Sequence, residues 1–310
     1  MNSVKVIPAI AGPTASGKTE LGVELALRLG NGEIINCDSV QIYKEIEIAT
    51  AKPTPEEMRG VPHHLLDYVS PFTNYTAADW ARDAAEKIRE IESRGNVAII
   101  VGGTGFYLRT LRKPLFEGPA TDPLLRKRFR DLLKEKGAEH LHSMLSEVDP
   151  VSAGRIRARD HSRTIRALEV FQQTGKKLSD LQPEREEPPE FADRIRVFAL
   201  DPQREELYEK INARAGLHFE KGLVEEVRTL LEKGVPPENN ALGSHGYRRV
   251  REYLAGERTL ESAMEKTAQD VRNYAKRQKT WFRKEEGVIW LEGFGADPLV
   301  VERLVELTNA

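Results

Sequence analysis

The 310-residue sequence predicts an α/β fold: a parallel sheet flanked by helices, carrying a helical insertion. Three observations lead there. Short apolar runs of strand length alternate with segments of helical period over roughly the first third of the chain. One of those runs, residues 97–101 (VAIIV), is apolar without interruption, the mark of a strand covered on both faces. From residue 116 to 190 the alternation stops and only helical patterns remain, which divides the chain into a core, 1–115 with 191–310, and an insertion, 116–190.

The elements justify themselves in order. Residues 4–11 are apolar and β-prone, and 20–29 place Leu21, Leu25 and Leu29 on one helical face. Between them Gly12-Pro13-Thr14-Ala15-Ser16-Gly17-Lys18-Thr19 fits G-x-x-x-x-G-K-[ST] without a mismatch. Strand, glycine turn and helix are the context such a phosphate-binding loop needs, so the core reads as a P-loop NTPase-like sheet. Gly12 and Gly17 permit backbone angles that a side chain resists. The loop amides and helix N-terminus converge on an anion, Lys18 adds a charge, and the Thr19 hydroxyl is a candidate ligand for Mg²⁺. Kinases, NTP hydrolases and transferases that expel diphosphate all use this cradle, so the loop alone does not name the reaction.

A second strand over 33–37 delivers Asp38-Ser39 to the sheet edge where ligands sit in open parallel sheets. There a carboxylate can hold Mg²⁺ through water or take a proton from a nucleophile; its plainer reading is a turn residue. Val40, Gln41 and Tyr43 begin a polar, irregular stretch. Thr76 with Asp79 forms a capping box for a helix running to 94. The strand at 97–101 runs into Gly102-Gly103-Thr104-Gly105 and ends without the acidic residue an NTPase usually places there, which counts against hydrolase and motor readings.

Asp122-Pro123 and Asp149-Pro150 read as helix starts in the insertion, and 182–189 as the linker back. A strand over 195–200, helix over 207–231 broken near Gly222, one long helix over 259–285, a strand over 288–291 and a helix over 299–307 complete the expectation.

Composition bounds the setting. No stretch of 18 uninterrupted apolar residues is present, so no helical membrane span or secretory signal is expected. The single cysteine, Cys37, excludes an intramolecular disulfide and a cysteine zinc site. A reducing cytoplasm is the expected location. The net charge of −2 hides two basic patches: a local +3 over 151–170 and a local +6 over 271–284. Such patches are the footprint of nucleic-acid phosphates, or of a solvated helix face. His63-His64 lack the partners of a metal set and read as hydrogen-bonding residues.

Taken together the ordered motifs resemble the tRNA dimethylallyltransferases (isopentenyl-tRNA transferases) of the bacterial type. The carriers are the phosphate loop, Asp38-Ser39 with Gln41 and Tyr43, Thr50-Ala51-Lys52-Pro53, His63-His64-Leu65-Leu66-Asp67 and Gly102-Gly103-Thr104-Gly105. Arg166-Ala167-Leu168-Glu169-Val170, Lys276-Arg277-Gln278 and Thr280-Trp281-Phe282-Arg283 continue the set over nearly the whole chain. The resemblance implies transfer of a dimethylallyl group from dimethylallyl diphosphate to N6 of the adenine beside the anticodon of tRNA, with Mg²⁺. It implies Asp38 as general base, with Thr14, Lys18 and Arg214 acting on the diphosphate and Ser16 assisting from the loop. It implies tRNA contacts at Asp38, Ser39, Val40, Gln41, Thr104 and Arg126, along Ser162, Arg163, Thr164, Ile165 and Arg166, and along Gly243, Ser244, His245, Gly246, Tyr247 and Arg248. The partner is then the anticodon stem-loop of a tRNA, the protein a monomer. Ala49, His218 and His245 depart from the family pattern, which carries glycine, methionine and an apolar residue there. An adenylate isopentenyltransferase, a small-molecule kinase on the same core, and a nucleic-acid-binding module with a vestigial loop are the competing readings.

Overall fold

The computed structural model describes residues 6–116, 118–183, 187–237 and 239–309. It divides into two units, Met1–Arg112 with Pro189–Ala310, and Lys113–Pro188; the sequence reading put the boundaries at 116 and 190. Residues 4–5 of the expected first strand and 184–186 of the expected linker lie outside the described residues.

The larger unit opens with β1 (Ile7–Ala11), α1 (Lys18–Leu29), β2 (Gly32–Asn36), α2 (Pro55–Met58), β3 (His63–His64), α3 (Ala77–Ser93), β4 (Val97–Val101) and α4 (Gly105–Arg112). The smaller unit holds α5 (Pro123–Val148), α6 (Pro150–Arg155), α7 (His161–Thr174) and α8 (Leu178–Leu181). The larger unit then resumes with β5 (Ile195–Asp201), α9 (Arg204–Glu220), α10 (Leu223–Glu232), α11 (Tyr247–Leu254), α12 (Leu260–Phe282), β6 (Ile289–Glu292) and α13 (Pro298–Asn309).

The strands form one parallel sheet in the order β3-β2-β4-β1-β5-β6. Because β1 lies between β4 and β5, the loop after β1 leaves the middle of the sheet's C-terminal edge. The turns after β4 and β2 follow beside it, so three loops distant in sequence meet at the edge where parallel sheets bind ligands. The strands read as continuous apolar runs because both faces are covered. Ile10, Ile34, Ile99 and Val101 pack with Leu21 and Leu25 of α1 on one side. Ile35 and Ile100 pack with Trp80, Ile88 and Tyr107 on the other. Each such fully buried side chain contributes roughly 1.5–3 kcal/mol.

Trp80 also explains where Asp38 ends up. Its Nε1 donates to the carbonyl of Asn36 at 2.9 Å, and Asn36 Nδ2 donates to Leu65 O at 3.0 Å. The end of β2 is thereby fixed before the chain turns.

The structure adds one strand to the sequence reading. His63-His64 form a two-residue edge strand, β3, in register with Ile34 and Ile35; a strand so short has no alternation to betray it. His63 Nδ1 bonds Val61 O at 2.8 Å and His64 Nε2 bonds Glu33 at 2.6 Å. The break expected near Gly222 in the helix over 207–231 is present, and α9 and α10 part there.

The smaller unit has its own core of Phe129, Leu141, Leu145, Leu168 and Val170. Asp122 caps α5 by accepting from the amides of Leu124 and Leu125 at 2.8 and 3.1 Å. Asp149 caps α6 through Ser152 N at 3.0 Å and also receives Ser179 N at 3.0 Å. Among the described residues no helix is long and apolar enough to cross a membrane.

Candidate functional site

The phosphate loop owes its shape to backbone angles a regular turn avoids. Ala15 and Gly17 have φ of 63° and 86°, and the first helical bond of this end runs from Leu21 N to Gly17 O at 3.0 Å. The amides just before it have no intrahelical acceptor and form a concavity suited to an anion. Ser16 was expected to assist the reacting groups; its side chain is instead fully buried, and Oγ donates to Pro13 O at 2.8 Å, bracing the loop from within. Lys18 Nζ donates to the same carbonyl at 2.7 Å. Burial pushes the Lys18 ammonium down to about 8; Asp38 opposes that shift and Arg214 adds to it. Its charge is thus held at the expense of hydration until an anion arrives.

Asp38 follows β2 at the same edge. Its Oδ1 accepts the amides of Val40 and Gln41 at 2.9 and 3.3 Å, a local turn that fixes the carboxylate. The turn and catalytic readings therefore coexist in one residue. Thr104, after β4, receives Ser39 N on Oγ1 at 3.1 Å and gives its own amide to Cys37 O at 3.2 Å. Gln41 reaches across to the carbonyls of Thr50 and Ala51 at 3.0 and 2.9 Å. Cys37 is buried, and burial, then Asp38, pushes its thiol up, so it packs and does not react.

Arg214, from α9, joins this edge across 200 residues: its Nη2 donates to Thr14 Oγ1 at 2.5 Å. Burial lowers its pKa, with Asp38 opposing. One turn on, His218 lines the same cavity; burial, and then Arg214, push it down to about 4, so it is neutral. Sequence reasoning quoted Gln278 as a family marker but gave it no role. The structure does: Oε1 accepts Thr14 N at 2.8 Å while Nε2 donates to Gly103 O at 3.0 Å, tying the phosphate loop to the β4 turn. A polar residue at a buried position of an otherwise basic helix was the available signal.

These groups enclose a cavity of about 960 Å³. Thr14, Ala15, Gly17, Lys18, Thr19, Asp38, Gln41, Arg214, Tyr274 and Gln278 line it; Gly12, Pro13, Ser16, Ser39, Val40 and Thr104 do not. Thr19 and Asp38 offer hard oxygens to one space, the donor chemistry Mg²⁺ takes. Among the described residues no group of three or more His, Cys, Asp or Glu is gathered for a metal.

The expected tRNA-contact residues fall into separate groups. In the larger unit Gly243 and Arg248 are exposed, whereas Gly246 and Tyr247 are buried. Tyr247 Oη accepts Ala49 N at 3.2 Å and donates to Glu226 at 2.5 Å, so this tyrosine organises the fold. The Ala49 methyl sits opposite Gly246, where a β-carbon would lie 3.3 Å away. His245 meets the Tyr274 ring edge-on at 4.7 Å; burial, then Arg277, push it down to about 4. In the smaller unit Ser162 and Arg163 are exposed on α7, Thr164 and Ile165 are buried, and Arg166 Nη2 donates to Pro119 O at 2.7 Å. Arg126 is bonded twice to Glu169, at 2.7 Å each. Of these segments, then, only some side chains are free to meet a partner as they stand.

Comparison with known proteins follows the same outline. A family model described as IPP transferase matches residues 41–285. The tRNA dimethylallyltransferase of Geobacter metallireducens is 47% identical over 286 residues, 91% of each chain. That of Koribacter versatilis is 46% identical over 302 residues, 96% of each. The solved tRNA isopentenylpyrophosphate transferase of Bacillus halodurans matches with a TM-score of 0.69 at 36% identity, over 98% of this chain and 95% of its own. A eukaryotic dimethylallyltransferase acting on tRNA matches with a TM-score of 0.77 at 27% identity, over 98% of this chain and 79% of its own.

Proposed function

Since the chain belongs to the IPP transferase family, we propose that it moves a dimethylallyl group from dimethylallyl diphosphate to N6 of the adenine adjacent to the anticodon in tRNA, releasing diphosphate. The observation that carries this reading is the placement of two desolvated cations and one fixed carboxylate around a single cavity.

Each group has a task set by its chemistry. The allylic C–O bond breaks as the C–N bond forms, and the negative charge that develops on the diphosphate is taken up by Lys18, Arg214 and the loop amides. Thr14 shares the Arg214 guanidinium and so orients it toward the leaving group. The amino group of adenine is a weak nucleophile because its lone pair is delocalised; the Asp38 carboxylate orients it and accepts its proton. Thr19 is the residue that would hold Mg²⁺, which would supply further neutralisation of the leaving group when bound. Tyr274, its pKa raised by burial and by Asp38, stays a neutral phenol.

An adenine stacked in an anticodon loop cannot reach the cavity, so it leaves the stack to react. Basic residues of the exposed helix faces hold the phosphates around it, which makes binding steeply salt-dependent. Such an acceptor places the enzyme in the cytoplasm.

The test is one incubation of unmodified tRNA, Mg²⁺ and labelled dimethylallyl diphosphate, followed by nucleoside analysis, with AMP and ATP run in parallel. Label on N6 of the anticodon-adjacent adenosine is the expected result. Label on AMP alone would make the protein an adenylate prenyltransferase, and phosphate loss from ATP without prenyl transfer would make it a kinase.

A further inference from the structure

We propose that the turn joining β6 to α13, residues 293–297, is a positioning element of the phosphate loop, acting through Gly295 on the Ser16–Gly17 peptide. This inference rests on the reading of that loop as a diphosphate cradle.

Gly295 N–H donates to Ser16 O at 2.8 Å, across nearly the whole length of the chain. In a trans peptide the carbonyl and the following N–H point in opposite directions, and no cis bond is present among the described residues. Holding Ser16 O toward Gly295 therefore aims the Gly17 N–H the other way. Gly17 lines the cavity, Gly295 does not. The turn thus sets the direction of one anion-binding amide from behind.

The approach is too close for side chains on either partner. A β-carbon on Gly17 would lie 2.9 Å from Gly295 N, and one on Gly295 would run into the Gly17 carbonyl. Gly295 itself is not in the left-handed region, so alanine fits its backbone and only the space is at issue.

The turn is anchored independently of that hydrogen bond. Phe294 packs against the cluster of Leu207, Ile211 and Ala275, and Lys210 Nζ sits 4.6 Å from its ring centroid. Gly293 N donates to Asp201 O at 3.4 Å, which ties the turn's start to β5. With Gln278 holding Thr14 N–H on one side and Gly295 holding Ser16 O on the other, the cradle is clamped at two points before any ligand arrives. Such preorganisation strengthens anion binding because less ordering remains to be done.

The test uses the full-length chain with Gly295→Ala. The KM for dimethylallyl diphosphate and the Kd for inorganic diphosphate are expected to rise about tenfold, equivalent to about 1.4 kcal/mol. The KM for tRNA should stay within about twofold, because the acceptor does not use this peptide. Unchanged diphosphate affinity in a folded variant, or an equal rise in both KM values, would overturn the proposal. Should that variant not fold, Phe294→Ala decides: it keeps the Gly295 amide but removes one of the turn's two anchors. Diphosphate binding about threefold weaker supports the proposal, and unaltered binding overturns it. Absence of diphosphate binding by the unsubstituted protein would instead defeat the cradle reading itself, and this inference with it.

Discussion

Lys18 and Arg214 in the larger unit are desolvated by the walls of their cavity, Arg126 in the smaller one is half-buried, and their partners differ in kind. Arg126 is bonded through Nε and Nη2 to both oxygens of the fully buried Glu169, with Arg166 a further 3.7 Å neighbour of the same carboxylate. That charge is neutralised by the fold, in the bidentate geometry guanidinium and carboxylate share. Lys18 rests on a backbone carbonyl and Arg214 on a hydroxyl, and among the described residues neither makes an ion pair. A desolvated cation left without an anion is a cost in the free protein that a diphosphate relieves. The contrast teaches that the same residue type builds the helical unit in one place and waits for a ligand in the other.

The largest effect should come from breaking the satisfied pair. Arg126→Met leaves Glu169 buried without its main partner and should lower stability by about 3 kcal/mol, near the lower end for a broken buried pair because Arg126 is partly exposed and Arg166 remains. A denaturant melt showing less than about 1 kcal/mol would return Arg126 to the pool of free, purely tRNA-facing arginines.

Next comes the carboxylate opposite the waiting cations. Asp38→Asn keeps an oxygen to accept the Val40 and Gln41 amides and removes only the proton acceptor. Prenyl transfer should fall by about 10²-fold while tRNA binding and melting temperature hold. Near-normal turnover would strip Asp38 of its role and leave it the turn residue it also is.

The smallest effect sharpens the comparison most directly. Burial holds Lys18 near 8 in the free protein, against an ordinary lysine value of 10.5. A bound diphosphate sets an opposite charge beside the ammonium and so opposes that depression, and the complex should take up a fraction of a proton between pH 8 and about 10 and almost none below pH 7. The same shift makes the free protein's Lys18 penalty complete below pH 8 and progressively relieved above it. Calorimetry in two buffers of different ionisation enthalpy measures the uptake; equal values at pH 6.5 and 9 would mean that Lys18 is not the phosphate partner.

Legibility followed locality. The phosphate loop, the capping box at Thr76 and the apolar strands could be read because each depends on residues within a turn or two of one another. Asp38 was read correctly as an edge residue because parallel-strand geometry sends every strand end to the same side. The inward direction of the Ser16 hydroxyl was not legible because the motif does not say which way a hydroxyl points. The edge strand at His63-His64 escaped notice because its pairing with Ile34 and Ile35 is a property of the sheet. Tyr247 and Thr164 were expected as contact residues only through the family resemblance, and both are buried by the packing of the fold.

The amino-acid sequence by itself determined that this is a parallel α/β protein with a phosphate cradle, an acidic edge residue and a helical insertion, since periodicity and motif spacing act over short distances. Only the tertiary structure decided which groups meet. Gln278 and Gly295 grip the loop from hundreds of residues away, Arg214 arrives on Thr14 from α9, and Arg126 is claimed by Glu169. Such partnerships arise when closing the sheet and packing its helices brings distant polar groups out of water together, where each must find a partner or keep its charge for a ligand.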